Sequence, residues 1–207
     1  MRRSPPFNQM AQPGIVAIDV AILVGGDVAE RAREVNLALA SGRADALRFD
    51  DTHLPHLTLA QQFVERARLQ ELLAELDRIA RHEQGLSLRI RGPVVDHGTV
   101  QLPVEPSPDL QRLHELVMDA IQPFESPEGG VEAFHAEGET IRPRDAEWVR
   151  NYRERAAYAH YRPHVTVGHG ATAPPVTPAA FRADRLAVCH LGRFCSCRAV
   201  LRTWTLT

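Results

Sequence analysis

The chain writes one five-residue phrase twice. Pro55 to Leu59 reads PHLTL, and Pro163 to Val167 reads PHVTV. In an extended strand, successive side chains point to opposite faces. His56 and Thr58 therefore share one face, with Leu57 and Leu59 on the other. His164 and Thr166 pair in the same way, with Val165 and Val167 behind them. Each phrase sets its aliphatics in a core and shows an imidazole and a hydroxyl to whatever lies in front. On one strand those two groups stand roughly 6–7 Å apart, two rises of about 3.3 Å. Two such strands, far apart in sequence, suit the halves of a duplicated fold that face each other.

The remaining segments supply the frame. GIVAIDVAILV (14–24) is rich in β-branched residues and predicts a buried strand. A helix follows, with Asp27 as its N-cap, Val28, Ala32, Val35 and Leu39 on one face, and Gly42 as its stop. HLPHLTLAQQFV is a strand, and ERARLQELLAELDRIARHE an amphipathic helix. GLSLRIRGPVVD and TVQLPVE read as antiparallel partners. The third helix begins at Ser107 as N-cap with Pro108 at its first position. Residues 124–142 are polar and Gly-rich, which suits an exposed, mobile segment. Residues 143–159 read as a helix, YRPHVTVGHG as a strand, and ADRLAVCHL with CRAVLRTWTL as a hairpin turning near Gly192. The order lacks a regular βαβ rhythm. It predicts an α+β fold with two lobes of antiparallel sheet facing a central groove and helices outside. Residues 14–207 are expected to form that bilobal unit, with an inserted segment at about 124–160.

Composition narrows the chemistry. A chain of 207 residues with 44% hydrophobic content can bury a sizeable core. Its formal net charge of −2 gives no bulk attraction to nucleic acid or an acidic membrane. All 24 basic residues are arginine. Any charged contact to phosphate must then use a guanidinium, and every lysine mechanism is excluded. Three cysteines make no disulfide framework and fit a reducing compartment. Cys189, His190, Cys195 and Cys197 lack the spacing of a zinc site, and alternation splits them between faces. Residues 1–13 are expected to be a flexible lead-in: prolines and Asp19 interrupt what could resemble a signal peptide. A cytoplasmic monomer without membrane contact is expected.

An imidazole with a pKa near ~6.5 can take or give a proton at neutral pH. A pair allows one to deprotonate a nucleophile while the other protonates a leaving group. Threonine hydroxyls donate to anionic phosphoryl oxygens. The convergent groups include no carboxylate and no metal is expected, so the phrases point to metal-independent phosphodiester chemistry. His97-Gly98-Thr99 repeats the shorter His-x-Thr pattern, but its glycine reads as a turn.

The motifs HLTL and HVTV, with the element order, resemble the 2H phosphoesterase superfamily, named for two His-x-Thr/Ser-x motifs. The resemblance spans about residues 14–207. The superfamily includes bacterial RNA 2′-5′ ligase-like proteins and RNA 2′,3′-cyclic phosphodiesterases. The resemblance implies that His56 and His164 act as acid and base, and that Thr58 and Thr166 bind phosphate. The implied substrate is a nucleotide or RNA end carrying a cyclic phosphate or a 2′-5′ linkage, with no cofactor. The same site run in reverse implies 2′-5′ ligation. A non-catalytic RNA-end-binding module is the rival, although pure binding needs no two titratable groups. The segment 124–160 departs from the minimal family plan.

Further candidates follow from position. Gln62 and Arg162 share the motif faces by parity and are placed at the substrate. His169, after Gly168, reads as a rim residue. Trp148 and Tyr152, one turn apart, are placed to hold a base or sugar from a wall or lid.

Overall fold

The computed structural model describes residues 14–207; the expected lead-in at 1–13 lies outside them. Two antiparallel lobes result, an α+β architecture. In the first, β1 (Ile15–Leu23) and β2 (His56–Glu65) pair with β8 (Arg185–Leu191) and β9 (Cys197–Thr205) in the order β2-β1-β8-β9. The second lobe contains β3 (Leu86–Ile90), β4 (Val94–Asp96), β5 (Thr99–Pro103), β6 (His164–His169) and β7 (Ala179–Ala183). There β5 lies between β4 and β6, β7 pairs with β3, and an Ile90–Val104 bridge joins β3 to the end of β5. Each motif strand is therefore the edge of its lobe, and β2 and β6 lie side by side.

The duplication extends to single residues. His56, Leu57 and Thr58 pair with Leu23, Ile22 and Ala21 of β1; then the register shifts, and Ala60 and Gln61 face Val20 and Asp19. His164, Val165 and Thr166 pair with Pro103, Leu102 and Gln101 of β5; the register shifts again, and Gly168 and His169 face Val100 and Thr99. Both motif strands thus carry a β-bulge immediately after the motif threonine, at Leu59 and at Val167. A bulge inserts one residue and reverses the alternation of faces beyond it.

Five α-helices complete the described fold: α1 (Gly26–Ala40), α2 (Leu69–His82), α3 (Pro108–Ile121), α4 (Pro143–Arg150) and α5 (Tyr152–Ala156). The halves exchange helices. α1 follows a strand of the first lobe but packs on β6 and β7 of the second, while α3 follows β5 but packs on β2. Leu57, Leu59, Val165 and Val167 are all buried in one core that runs under both lobes with the helices. His56, Thr58, His164 and Thr166 are half-buried on the opposite side.

Several local expectations need correction. Gly25, not Asp27, holds the N-cap position of α1, and no side chain caps it. Ser107 does cap α3, accepting from the Leu110 amide at 3.2 Å. The 143–159 helix breaks at Asn151 and again at Ala157. The segment 124–142 is not simply exposed. Ala133, Phe134 and Ile141 are buried with Ala17 and Phe63 of the first sheet and Ala146 and Val149 of α4. A few apolar residues in a polar stretch suffice to fasten it, because each lands on the same patch of sheet. Strand β7 has no signal in the sequence; AAFRA is short and alanine-rich, with little β propensity. Among the described residues, no helix is long and apolar enough to cross a membrane.

Candidate active site

The motif side chains converge. His56, Thr58, His164 and Thr166 line one groove of about 490 Å³ between the lobes. The two imidazoles are held alike. His56 Nδ1 lies 2.8 Å from the Leu54 carbonyl, and His164 Nδ1 lies 2.7 Å from the Arg162 carbonyl. A carbonyl only accepts, so each Nδ1 carries the proton and donates. Each Nε2 is left to work as a base, or as an acid once the ring is protonated.

The resemblance between lobes stops one residue pair further along. Asp19 stands where Thr99 stands in the other lobe. Asp19 is fully buried, and its Oδ2 accepts from Thr58 Oγ1 at 2.8 Å and Gln61 Nε2 at 2.6 Å. The same oxygen lies 3.5 Å from His56 Nε2. Burial pushes this carboxyl up to about 6, against the opposing pull of His56, Gln61 and Thr58. Among the described residues, His164 has no such carboxylate in ion-pair reach; burial, partly offset by the Arg162 carbonyl, holds its pKa below 6.5. The site is therefore electrostatically lopsided: an imidazolium at His56 has a counter-ion, and a neutral ring is favoured at His164.

The bulge corrects one assignment. Because faces reverse after Leu59, Gln61 and not Gln62 faces the groove. Gln62 is buried on the far side and donates to Glu125. Arg162 is exposed and outside the groove, offering only its carbonyl to His164; the proline after it ends the strand before parity applies. Trp148 and Tyr152 both line the groove from the inserted segment. Trp148 is 39% exposed and donates through Nε1 to Gln61 Oε1 at 3.0 Å. Tyr152 is only 4% exposed. His169 also lines the groove. His97 and Gly98, with φ of 45° and 80°, form the turn expected.

Asp19 beside His56 and Thr58, and Gln61, Arg142 and Arg144 on the groove wall, are not named by the sequence reading. Asp19 alone carries a signal: a lone charge inside a buried apolar strand is costly unless it has work to do. Ligand atoms of Asp19, His56 and Cys197 lie within 4.8 Å of one another. The shared Asp19 oxygen already accepts two hydrogen bonds, and burial keeps the Cys197 thiol protonated, well above its usual range. A metal here would also occupy the His56 nitrogen needed for proton transfer.

Two edge strands presenting paired His-x-Thr motifs across a groove define a two-histidine phosphoesterase architecture. The chain belongs to the 2′-5′ RNA ligase superfamily, whose family model matches residues 27–191. No curated protein sequence matches it. Among solved structures, TT0787 of Thermus thermophilus is similar at 19% identity and a TM-score of 0.57, covering 92% of this chain and 98% of that one. E. coli LigT in its apo form is similar at 18% identity and a TM-score of 0.52, covering 93% and 98%. LigT complexed with phosphate gives 16% identity and a TM-score of 0.53, covering 94% and 99%. At these identities the likeness concerns the fold.

Proposed function

We propose that the groove cleaves a phosphodiester of an RNA end or nucleotide, either a 2′,3′-cyclic phosphate or a related 2′-5′ linkage, without a metal. The observation that carries this reading is the matched pair of Nδ1–carbonyl contacts, which leaves one Nε2 in each lobe beside a threonine hydroxyl. The lopsided electrostatics divide the labour. His164 Nε2 takes a proton from water, whose oxygen attacks phosphorus. The bond from phosphorus to a ribose oxygen breaks, and His56 Nε2–H protonates that oxygen beside the Asp19 carboxylate. Thr166 donates to a non-bridging oxygen. Thr58 can donate to only one acceptor, so phosphate competes with Asp19 for it. The family membership supports this class of reaction, and related LigT has been crystallised with phosphate and with 3′-AMP.

The test is turnover of a nucleoside 2′,3′-cyclic phosphate and of a 2′-5′-linked dinucleotide. His56→Ala and His164→Ala should each lower kcat by about 10²–10⁴-fold with the fold intact. Wild-type turnover in either variant would refute the assignment.

A further inference from the structure

Three residues beyond Thr166, His169 lines the groove amid positive charge. The groups acting on it are three guanidiniums, Arg43, Arg142 and Arg144, and one carboxylate, Asp145. Arg43 Nη1 donates to the His169 carbonyl at 2.6 Å. Arg142 is spent on Asp145 through Nε and Nη2, and its Nη1 is buried without a partner. The Nδ1 of His169 is likewise buried and unpartnered. Arg144 is exposed at the start of α4, and among the described residues no carboxylate lies in ion-pair reach of it or of Arg43. Burial and the three arginines push the imidazole down to about 4, so the ring is neutral and adds no charge of its own.

Asp145 neutralises Arg142, which leaves Arg43 and Arg144 as guanidiniums without a counter-ion among the described residues. The cluster is also built rigidly. The Arg142 guanidinium lies 4.0 Å from the Phe194 ring centre and that of Arg193 4.6 Å from it. Phe194 and Cys195 both hold left-handed backbone, at φ of 66° and 52°. Strain of that kind persists where the surroundings impose it, commonly at binding sites. Along the paired strands, Thr99 opposite His169 lies two residues from Gln101 opposite Thr166. That places His169 roughly 6–7 Å along the sheet from the motif threonine, at about 3.3 Å per residue. The distance is comparable to the step between neighbouring phosphates on an extended nucleotide chain.

We propose that this end of the groove is a second anion subsite, which takes a phosphate adjacent to the one held between His56 and His164. The substrate is then an oligonucleotide end or a nucleotide with a further phosphate, rather than a lone cyclic mononucleotide. This deepens the reaction proposed above and rests on it. Guanidiniums suit the task because each can offer two donors to phosphate oxygens.

Calorimetric titration with adenosine 3′-monophosphate and adenosine 3′,5′-bisphosphate tests the subsite without turnover. The bisphosphate should bind at least about tenfold more tightly than the monophosphate. Arg144→Ala, a surface change outside the core, should abolish that advantage and leave the monophosphate affinity within about twofold; Arg78→Ala on α2 should change neither, since exposed charges far apart are screened. A wild-type ratio near one, or a ratio untouched by Arg144→Ala, overturns the subsite. Turnover keeps the two readings apart. If neither a cyclic mononucleotide nor a dinucleotide ending in a cyclic phosphate is cleaved while the ratio holds, the reaction fails and the subsite stands. If both are cleaved with equal kcat/KM and the ratio is near one, the reaction stands and the subsite falls. Preference for the dinucleotide that disappears in Arg144→Ala supports both.

Discussion

Asn36 and His114 perform the same task in opposite lobes. A β-bulge leaves a carbonyl that the sheet ladder does not use. Asn36, from α1, donates through Nδ2 to the bulge carbonyl of Val167 at 3.0 Å. His114, from α3, donates through Nδ1 to the bulge carbonyl of Leu59 at 2.7 Å. Each helix thereby fixes the strand that carries the other half's motif. Asn36 is fully used, giving a second bond to the Leu47 carbonyl and accepting from the Phe49 amide. His114 accepts from the Tyr158 amide at 2.8 Å and stacks on Tyr161 at 3.8 Å.

Removing either partner should therefore cost stability and disturb the site together. Asn36→Ala orphans the buried Val167 carbonyl, and His114→Ala leaves the Leu59 carbonyl only a long 3.5 Å contact from the Tyr152 hydroxyl, a penalty of about 1–3 kcal/mol before lost packing is added. Urea denaturation should show both losses. A midpoint within error of wild type for either would show that its bulge carbonyl has another partner.

Gly168 tests the second bulge more directly. Its φ is +146°, and a Cβ there would sit 3.0 Å from Leu39 Cδ1 on α1. Gly168→Ala combines a backbone that side chains disfavour with that close approach, at a cost of about 1–3 kcal/mol. The equivalent Ala60 already carries a buried Cβ without strain, so Ala60→Gly should cost about 1–2 kcal/mol through the lost methyl and the freer backbone. Equal melting temperatures for Gly168→Ala and wild type would contradict the strain.

Asp19 links stability to pH and, in the mechanism proposed above, activity as well. Its folded pKa of about 6 lies above the ordinary 3.8. The folded state thus holds a proton that the unfolded chain gives up between those values. The protonated carboxyl favours folding below about pH 4, and that contribution is lost as pH rises through about 6. Asp19→Asn should then raise stability at pH 8 by about 2–3 kcal/mol and leave it near wild type at pH 4. Kinetically the same variant should lower kcat, because His56 loses its counter-ion, and lower KM, because Thr58 is freed for phosphate. A variant that is less stable at pH 8, or that keeps wild-type kcat, would remove Asp19 from this role.

His114 and His164 act with the opposite sign. Both have folded pKa values below 6.5, chiefly through burial. Their neutral forms stabilise the fold above pH 6.5, and that contribution is lost as pH falls. With His164 as the base proposed above, the rising limb of kcat/KM should lie below pH 6.5. A limb above about 7 would point to another base.

Trp148 and Tyr152, expected to act as a pair, should behave differently. Tyr152 is buried, so Tyr152→Ala should cost about 3–5 kcal/mol. Trp148 is exposed in the groove and tied to Gln61 by its indole N–H. Trp148→Ala should raise KM several-fold with a stability loss of about 1 kcal/mol, that of one hydrogen bond. Early melting with an unchanged KM would make Trp148 a packing residue.

What can be read in the chain beforehand follows a physical line. Alternation about His56 and His164 places both faces correctly, because regular strands obey a period of two. It fails at Gln62, where a bulge inserts a residue. Nothing in LAQQ announces that bulge; GH after HVTV hints at one, since glycine permits the backbone it needs. Phe134 and Ile141 escape notice as core residues because their partners, Ala17 and Phe63, are distant in sequence. Asp19 is visible as an oddity, but its partners come from another strand and cannot be named from the chain alone.

The exchange of helices has a consequence for how such a chain can be cut. The half beginning at β1 carries the helix that props the histidine of the other half, and the reverse holds for α3. Neither half contains the support for its own motif. Severed between α2 and β3, each fragment would lose the helix that packs on its motif strand. The cut would also part β1 from β8, so the first sheet, like the support of each motif, is made by both ends of the chain.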